Sequence, residues 1–163
     1  MLFKVKNLNI HNILATLTLL KVLNLNFFES AYRFVNFQPS EGRGKIYNVK
    51  RYKKNFKLID ESYNANPLSV KNAIKNFQSI QKVKFKKYLI LGDMLELGKK
   101  SELLHKDLSK VINNSDIDKV FIKGKNTLTT YKNLAKKKRG NIFQQEEDAV
   151  SYTHLTLPTM CVV

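Results

Sequence analysis

Two short apolar runs, F-K-L-I at residues 56–59 and Y-L-I-L at residues 88–91, each end in a polar, acidic loop that leads into a helix-period segment. Runs of this kind, rich in β-branched and aromatic residues and bounded by turn residues, read as strands. Strand, loop and amphipathic helix in alternation is the pattern of a parallel α/β sheet. The first loop reads D-E-S-Y-N-A-N-P from Asp60 and the second G-D-M-L-E-L-G from Gly92. Ligands of parallel sheets bind beyond the carboxyl ends of the strands, and there Asp60, Glu61, Asn64, Asn66, Asp93 and Glu96 are expected to gather.

The same alternation continues along the chain. Residues 46–50 are expected to pair with residues 56–60 as a hairpin across a basic turn. Asn66-Pro67 opens a helix, since Asn accepts from first-turn amides and Pro at the first position loses no hydrogen bond. Its buried stripe is Val70, Ala73, Ile74, Phe77 and Ile80; the next helix presents Leu104, Leu108, Val111 and Ile112. K-V-F-I at residues 119–122 is a third strand, Leu128, Tyr131, Leu134 and Ala135 mark a third helix, and a fourth strand begins at Asn141. The predicted fold class is therefore α/β, a Rossmann-like, mostly parallel sheet in βαβαβαβ order, incomplete as a domain. Ahead of it, residues 11–25 are helix-periodic, with Ile13, Leu14, Leu17, Leu20 and Leu23 on one face.

Composition narrows the function classes. The net charge is +16, but 25 of the 29 basic residues are Lys and they are scattered, so codon bias explains them better than a nucleic-acid footprint. The Lys-rich stretch at residues 136–139 follows a helix and reads as a complement to its dipole. One cysteine, Cys161, excludes an internal disulfide framework. The amino-terminal apolar stretch is interrupted by His11 and Asn12, has no small-residue cleavage site, and falls short of the ~20 residues that span a bilayer. A soluble, cytoplasmic protein with no membrane insertion is expected.

The last residues differ from the rest. V-S-Y-T-H-L-T-L-P-T at residues 150–159 back-translates to a string resembling a transposon-end adapter of sequencing libraries, and neither Lys nor Asn occurs after Asn141. Residues 150–163 are accordingly expected to carry no evolved element, and His154 and Cys161 are not recruited to any site.

The paired loop motifs carry a resemblance. D-E-S-Y-N-A-N-P followed by L-G-D-M-L-E-L-G resembles the C-terminal domain of the Mur ligase family, and within it the member that adds D-alanyl-D-alanine to the UDP-N-acetylmuramoyl-tripeptide of peptidoglycan synthesis. H-N-I-L-A-T-L-T-L from His11 is similar to a helix at the end of that family's central domain, with Ala15 where the family has a second Asn. The resemblance implies three segments: residues 1–40, the end of the central ATP-binding domain and a linker; residues 41–149, a truncated C-terminal domain; and residues 150–163, the adapter-like tail. It further implies ATP and Mg²⁺ as cofactors, activation of the tripeptide carboxylate as an acyl phosphate, and attack by the amine of D-alanyl-D-alanine. ATP contacts fall to Asn12, Arg43, Asp60, Tyr63 and Asn66, and the dipeptide or cleft side to Asn64, Asp93 and Glu96. No residue is assigned covalent catalysis or a metal. A sibling Mur ligase, a folylpolyglutamate-type ligase and a basic nucleic-acid-binding module are the competing readings; Ala65, where the sibling ligases carry His, counts against them.

Each residue also has a local reading. Asp60 and Glu61 are adjacent on a strand, so their side chains point to opposite faces and one of them, Asp60 on match, serves the ligand. Asn66 is an N-cap whose helix end is expected to offer N–H groups to a phosphate or carboxylate. Tyr63 either stacks on a base or covers the helix start. Asp93 either binds a cation or ammonium or forms an Asx-turn. His105 matches a His the family often carries, and a lone helical His is commonly a surface or supporting group. G-R-G-K at residues 42–45 lacks the spacing of a phosphate loop.

Overall fold

In the computed structural model, which describes residues 10–34, 39–51, 54–80, 85–144 and 159–162, the two runs F-K-L-I and Y-L-I-L lie in one six-stranded sheet. The chain divides into two compact units, Met1–Ser40 and Glu41–Val163.

In the first unit α1 spans Ile10–Val22 and α2 spans Phe27–Arg33. Ile13, Leu17 and Leu20, at helical spacing, are half-buried, whereas Leu14 and Leu23 of the expected stripe are exposed. The chain leaves α1 through Asn24 in the left-handed region, and Asn26 caps α2 by accepting from the Glu29 N–H. No helix among the described residues is long and apolar enough to cross a membrane.

The second unit begins with the expected hairpin. β1 (Lys45–Arg51) runs antiparallel to β2 (Lys54–Asp60), with Ile46 opposite Ile59 and Lys45 opposite Asp60. Then follow α3 (Pro67–Ser79), β3 (Tyr88–Leu91), α4 (Ser101–Asn113), β4 (Lys119–Lys123), α5 (Thr127–Lys132) and β5 (Arg139–Phe143). Each crossover from β2 to β5 moves toward the same edge of the sheet, and right-handed crossovers that keep one direction place their helices on one face. The packing follows from this. Leu89, Leu91, Val120 and Ile122, alternate residues of β3 and β4, meet Val70, Ile74 and Phe77 of α3, Leu108 and Ile112 of α4, and the partly buried Leu128 and Tyr131 of α5. The intervening residues put Tyr88, Phe121 and Phe143 on the opposite face, where Phe121 meets Tyr88 edge-on at 5.9 Å and stacks on Phe143 at 5.6 Å.

Two expectations need correction. The third helix ends at Lys132, short of Leu134 and Ala135, and a 3₁₀ turn (Lys136–Lys138) follows. Arg139 donates to the carbonyls of Lys132 and Leu134, so it does serve that helix end; Lys138 instead is buried and donates to the Ser115 and Ile117 carbonyls. The second correction concerns the tail. Thr159–Val162 forms β6, and the sheet order is β1-β2-β6-β3-β4-β5, with β6 parallel to both neighbours. A gap between two parallel strands presents unpaired N–H and C=O groups on both sides, so it accepts any extended segment of sufficient β propensity, and Thr-Met-Cys-Val meets that condition by composition alone. Residues 150–158 of the tail, including His154, lie outside the described residues.

Candidate functional site

The turn that enters β1 is fastened to the loop that leaves β2. The Asp60 carboxylate accepts from the Gly42 N–H at 3.0 Å, from the Ser62 N–H at 3.1 Å and from the Ser62 hydroxyl at 2.6 Å. The Tyr63 N–H donates to the Gly42 carbonyl at 3.1 Å and the Gly44 N–H to the Asp60 carbonyl at 2.7 Å. Gly42 is required here twice over: its φ is +71°, and a Cβ would stand 2.7 Å from the Tyr63 nitrogen. This close approach brings the Arg43 guanidinium 4.0 Å from the centroid of the Tyr63 ring, a cation–π pair in which Tyr63 is 67% exposed.

The neighbouring carboxylates differ, Asp60 closing β2 and Glu61 standing just past its end. Burial pulls the Asp60 carboxyl up, but the Ser62 side chain and N–H, the Gly42 N–H and the Lys45 charge outweigh it and hold it below the ordinary carboxylate range. Burial, seconded by the Asp60 charge, raises Glu61. Glu61 lies against Gly44 and has no hydrogen-bonding partner among the described residues. Asp60 thus organises the turn, and Glu61 is the carboxylate left with acceptor capacity.

At the start of α3, Asn66 accepts from the Leu68 and Ser69 N–H groups at 3.0 and 2.9 Å, and its own N–H donates to the Ser69 hydroxyl, a capping box. Pro67 has no N–H, and the Val70 N–H already bonds the Asn66 carbonyl. The first-turn donors are therefore all used, which corrects the expectation that this helix end offers free N–H groups to a phosphate. Asn64 and Tyr63 stand exposed beside it.

The loop after β3 is held from inside. The Asp93 carboxylate accepts from the Asn126 and Thr127 N–H groups at 3.1 and 2.7 Å, capping α5 from a neighbouring loop because the Asn126 side chain does not. Gly124, at φ +124°, makes room: a Cβ there would meet an Asp93 oxygen at 2.3 Å. Met94 and His105 are fully buried, and the Met94 N–H donates to His105 Nε2 at 3.2 Å. Leu95 turns out to 70% exposure, and Glu96, exposed at φ +60°, reverses the chain so that Leu97 returns to the core.

The two loops do not meet. β6 lies between β2 and β3, which separates them by two strand spacings, roughly 10 Å. Asp60 and Ile90 share Val162 as register partner, so Asp93 lies three residues farther along its strand direction. Arg43, Asp60, Glu61, Tyr63, Asn64 and Asn66 form one group at the end of β2; Asp93 and Glu96 form another beyond β3. Asn12 is exposed on α1, in the other unit. The chemistry of the donor set does not fit a divalent cation, since Asp60 and Asp93 are both taken up by protein donors and no group of three or more His, Cys, Asp or Glu gathers among the described residues. The Arg43–Tyr63 pair instead presents a guanidinium over an exposed aromatic ring, and Glu61 lies against Gly44 of the same turn. Sequence reading missed what Glu61, Gly124 and His105 do. For His105 a signal existed in the Ser101–His105 spacing of one helical turn.

Residues 43–163 match the family described as Mur ligase, glutamate ligase domain. The chain is 31% identical over 146 residues to the UDP-N-acetylmuramoyl-tripeptide–D-alanyl-D-alanine ligase of Rickettsia prowazekii, covering 90% of this chain and 31% of that protein. It is 47% identical over 68 residues to the enzyme of the same name from Bacillus subtilis, covering 42% of this chain and 15% of the relative. The chain thus spans less than a third of the length of these relatives. In fold it is similar to MurF from Acinetobacter baumannii, at TM-score 0.74 and 21% identity over 94% of this chain and 33% of that one. It is also similar to the MurF ligase of Thermotoga maritima solved in complex with ADP, at TM-score 0.71 and 20% identity over 93% of this chain and 33% of that one. With the family match covering the sheet and both strand-end loops, the chain belongs to the Mur ligase family and carries its glutamate ligase domain.

Proposed function

We propose that this chain is part of a longer, cytoplasmic, ATP-dependent amide ligase that adds D-alanyl-D-alanine to UDP-N-acetylmuramoyl-tripeptide in peptidoglycan synthesis. The observation that carries this reading is the similarity, across both strand-end motifs, to relatives that bear the name of that ligase. In this reading Met1–Ser40 is the end of the central ATP-binding domain with its linker, and the sheet of the second unit closes over nucleotide and amine. Arg43, Tyr63 and Glu61 receive ATP, with Asp60 holding their turn in shape and the Asn66 side-chain amide available to a ligand. Of the residues given to the dipeptide side, Glu96 offers the carboxylate that suits its ammonium group, Asp93 holds that loop by capping α5, and Asn64 stands with the nucleotide group at the end of β2. Mg²⁺ accompanies the nucleotide, bound by groups other than the carboxylates described above. Charge neutralisation and positioning, not a protein nucleophile, drive such an acyl transfer.

The test is ADP release with ATP, Mg²⁺, the UDP-linked tripeptide and D-alanyl-D-alanine. The chain by itself is expected to be inert, because a second wall that holds the phosphate against its acceptor is worth ~7–11 kcal/mol of barrier through effective molarity. Joined to the remainder of the Rickettsia relative in place of the matching segment, it is expected to turn over. Turnover by the chain alone would refute this placement of the catalytic parts, and an inert, folded chimera would refute the substrate.

A further inference from the structure

His105 is fully buried, a polar ring on a helix face that it shares with the buried Leu108, Ser109 and Ile112. Hydrogen bonds to three segments fix it, and the Ser101 hydroxyl also lies 3.4 Å from its Nδ1. Its Nε2 accepts from the Met94 N–H at 3.2 Å, so the ring proton sits on Nδ1, which donates to the Ser101 carbonyl at 2.8 Å one turn back. The His105 carbonyl in turn accepts from the Thr130 hydroxyl at 2.7 Å. One residue thereby ties the loop after β3, the first turn of α4 and the middle of α5 together. Without it the Met94 N–H would be a buried donor with no partner, which is costly.

The loop depends on that tie. Met94 and Leu97 point inward, while Leu95 and Glu96 project between them, with Glu96 held in a left-handed conformation that a Glu rarely adopts. A non-glycine residue in this region persists where its surroundings over-determine it; Glu96 is flanked by Leu97, packed on the core, and on the other side by Met94, whose N–H is hydrogen-bonded to His105. We propose that His105, as its neutral Nδ1–H tautomer, is a positioning residue that sets residues 93–96 for the incoming amine. The proposal rests on the ligase reading for the identity of the amine and on geometry alone for the clamp.

Two arms test it. In the chain as it stands, ¹⁵N NMR is expected to show His105 as the Nδ1–H tautomer and the Met94 amide as slow to exchange; His105→Leu is expected to speed that exchange at least about tenfold while Leu89 and Val120 stay protected. His105→Gln, whose Oε1 can accept from Met94, is expected to restore much of the protection. In the chimera His105→Leu is expected to raise KM for D-alanyl-D-alanine by about tenfold, leave kcat within about threefold and spare KM for ATP, with Gln intermediate. An Nε2–H tautomer, or Met94 exchange unchanged in the Leu variant, would overturn the clamp. A fall in kcat that tracks melting temperature with both KM values unchanged would reduce His105 to a structural role and overturn positioning. An inert wild-type chimera would count against the ligase reading, and the clamp would then stand or fall on Met94 exchange.

Discussion

The ends of β2 and β3 each carry an aspartate and use it oppositely. Asp60 reaches back to its own neighbourhood, accepting from Ser62 and from Gly42 across the hairpin, and the result is a surface turn that presents Arg43 on Tyr63. Asp93 reaches sideways to the next crossover and caps α5, while its neighbour Met94 is sunk in the core against His105. The first loop is organised by hydrogen bonds within its own turn and presents the Arg43–Tyr63 pair at the surface. The second is pinned to two helices, so that its projecting residues, Leu95 and Glu96, ride on a rigid base. Two strand-end loops of one sheet are thus held in different ways, one by its own turn and one by the helices beside it.

The strand between the two loops is the strongest lever on this comparison. Deleting residues 150–163 removes β6 and leaves β2 and β3 each with an unpaired parallel edge, which is expected to lower unfolding stability by ~3–6 kcal/mol in denaturant titration, at about 1 kcal/mol per lost backbone hydrogen bond. An unchanged midpoint would mean that the hairpin and the β3–β5 half hold together without this segment, so that the two loops are independent. Next comes the anchor of the second loop. Gly124→Ala drives a Cβ into the Asp93 carboxylate at a φ that side chains avoid, and is expected to cost about 2–4 kcal/mol; Asp93→Ala, which removes only the cap, is expected to cost about 1–2 kcal/mol. If Gly124→Ala costs no more than Asp93→Ala, the loop yields easily and is not preset.

The smallest effects belong to the surface turn, and they carry opposite pH signatures. Asp60 is held below the ordinary carboxylate range, so the stability it contributes is present above its unfolded pKa of ~3.9 and is lost as pH falls through the folded value. Asp60→Ala is expected to cost about 0.5–1.5 kcal/mol at neutral pH and progressively less in acid. Glu61 is raised, so its favourable contribution exists only below its unfolded pKa of ~4.3 and is lost as pH rises through the folded value. Glu61→Gln is expected to raise the melting temperature slightly at neutral pH and to be neutral in acid. Matching pH profiles for the two variants would show that these adjacent side chains share one environment, against the three donors found on Asp60 alone.

Much of this was readable in the chain. Alternation and periodicity located every strand and helix from β1 to β5 to within a few residues, because burying one face imposes a period of 2 or 3.6 on the residues themselves. Asn66-Pro67 announced its helix through a cap that acts over three residues. The hairpin itself followed from the same local rules, whereas its register, with Ile46 opposite Ile59 and Lys45 opposite Asp60, is one residue away from a pairing of 46–50 with 56–60 and came from the structure. The strand, loop and helix alternation brought the two motifs to the carboxyl ends of their strands, where the structure has them, but β6 keeps the two groups apart.

Other features depended on segments distant in sequence. That α5 ends at Lys132 follows from the chain turning to bring Lys138 under the Ser115 and Ile117 carbonyls, 23 and 21 residues away in sequence. That Asp93 caps α5, with Gly124 making room for it, that His105 grips Met94, and that β6 enters between β2 and β3 all need contacts across the fold. The sequence by itself determined which residues could form strands, helices and caps, since those depend on neighbours within a few positions. Only the tertiary structure decided which carboxylate is taken up by backbone donors and which is left for a ligand, because a hydrogen bond to an amide 34 residues away leaves no periodic trace in the chain.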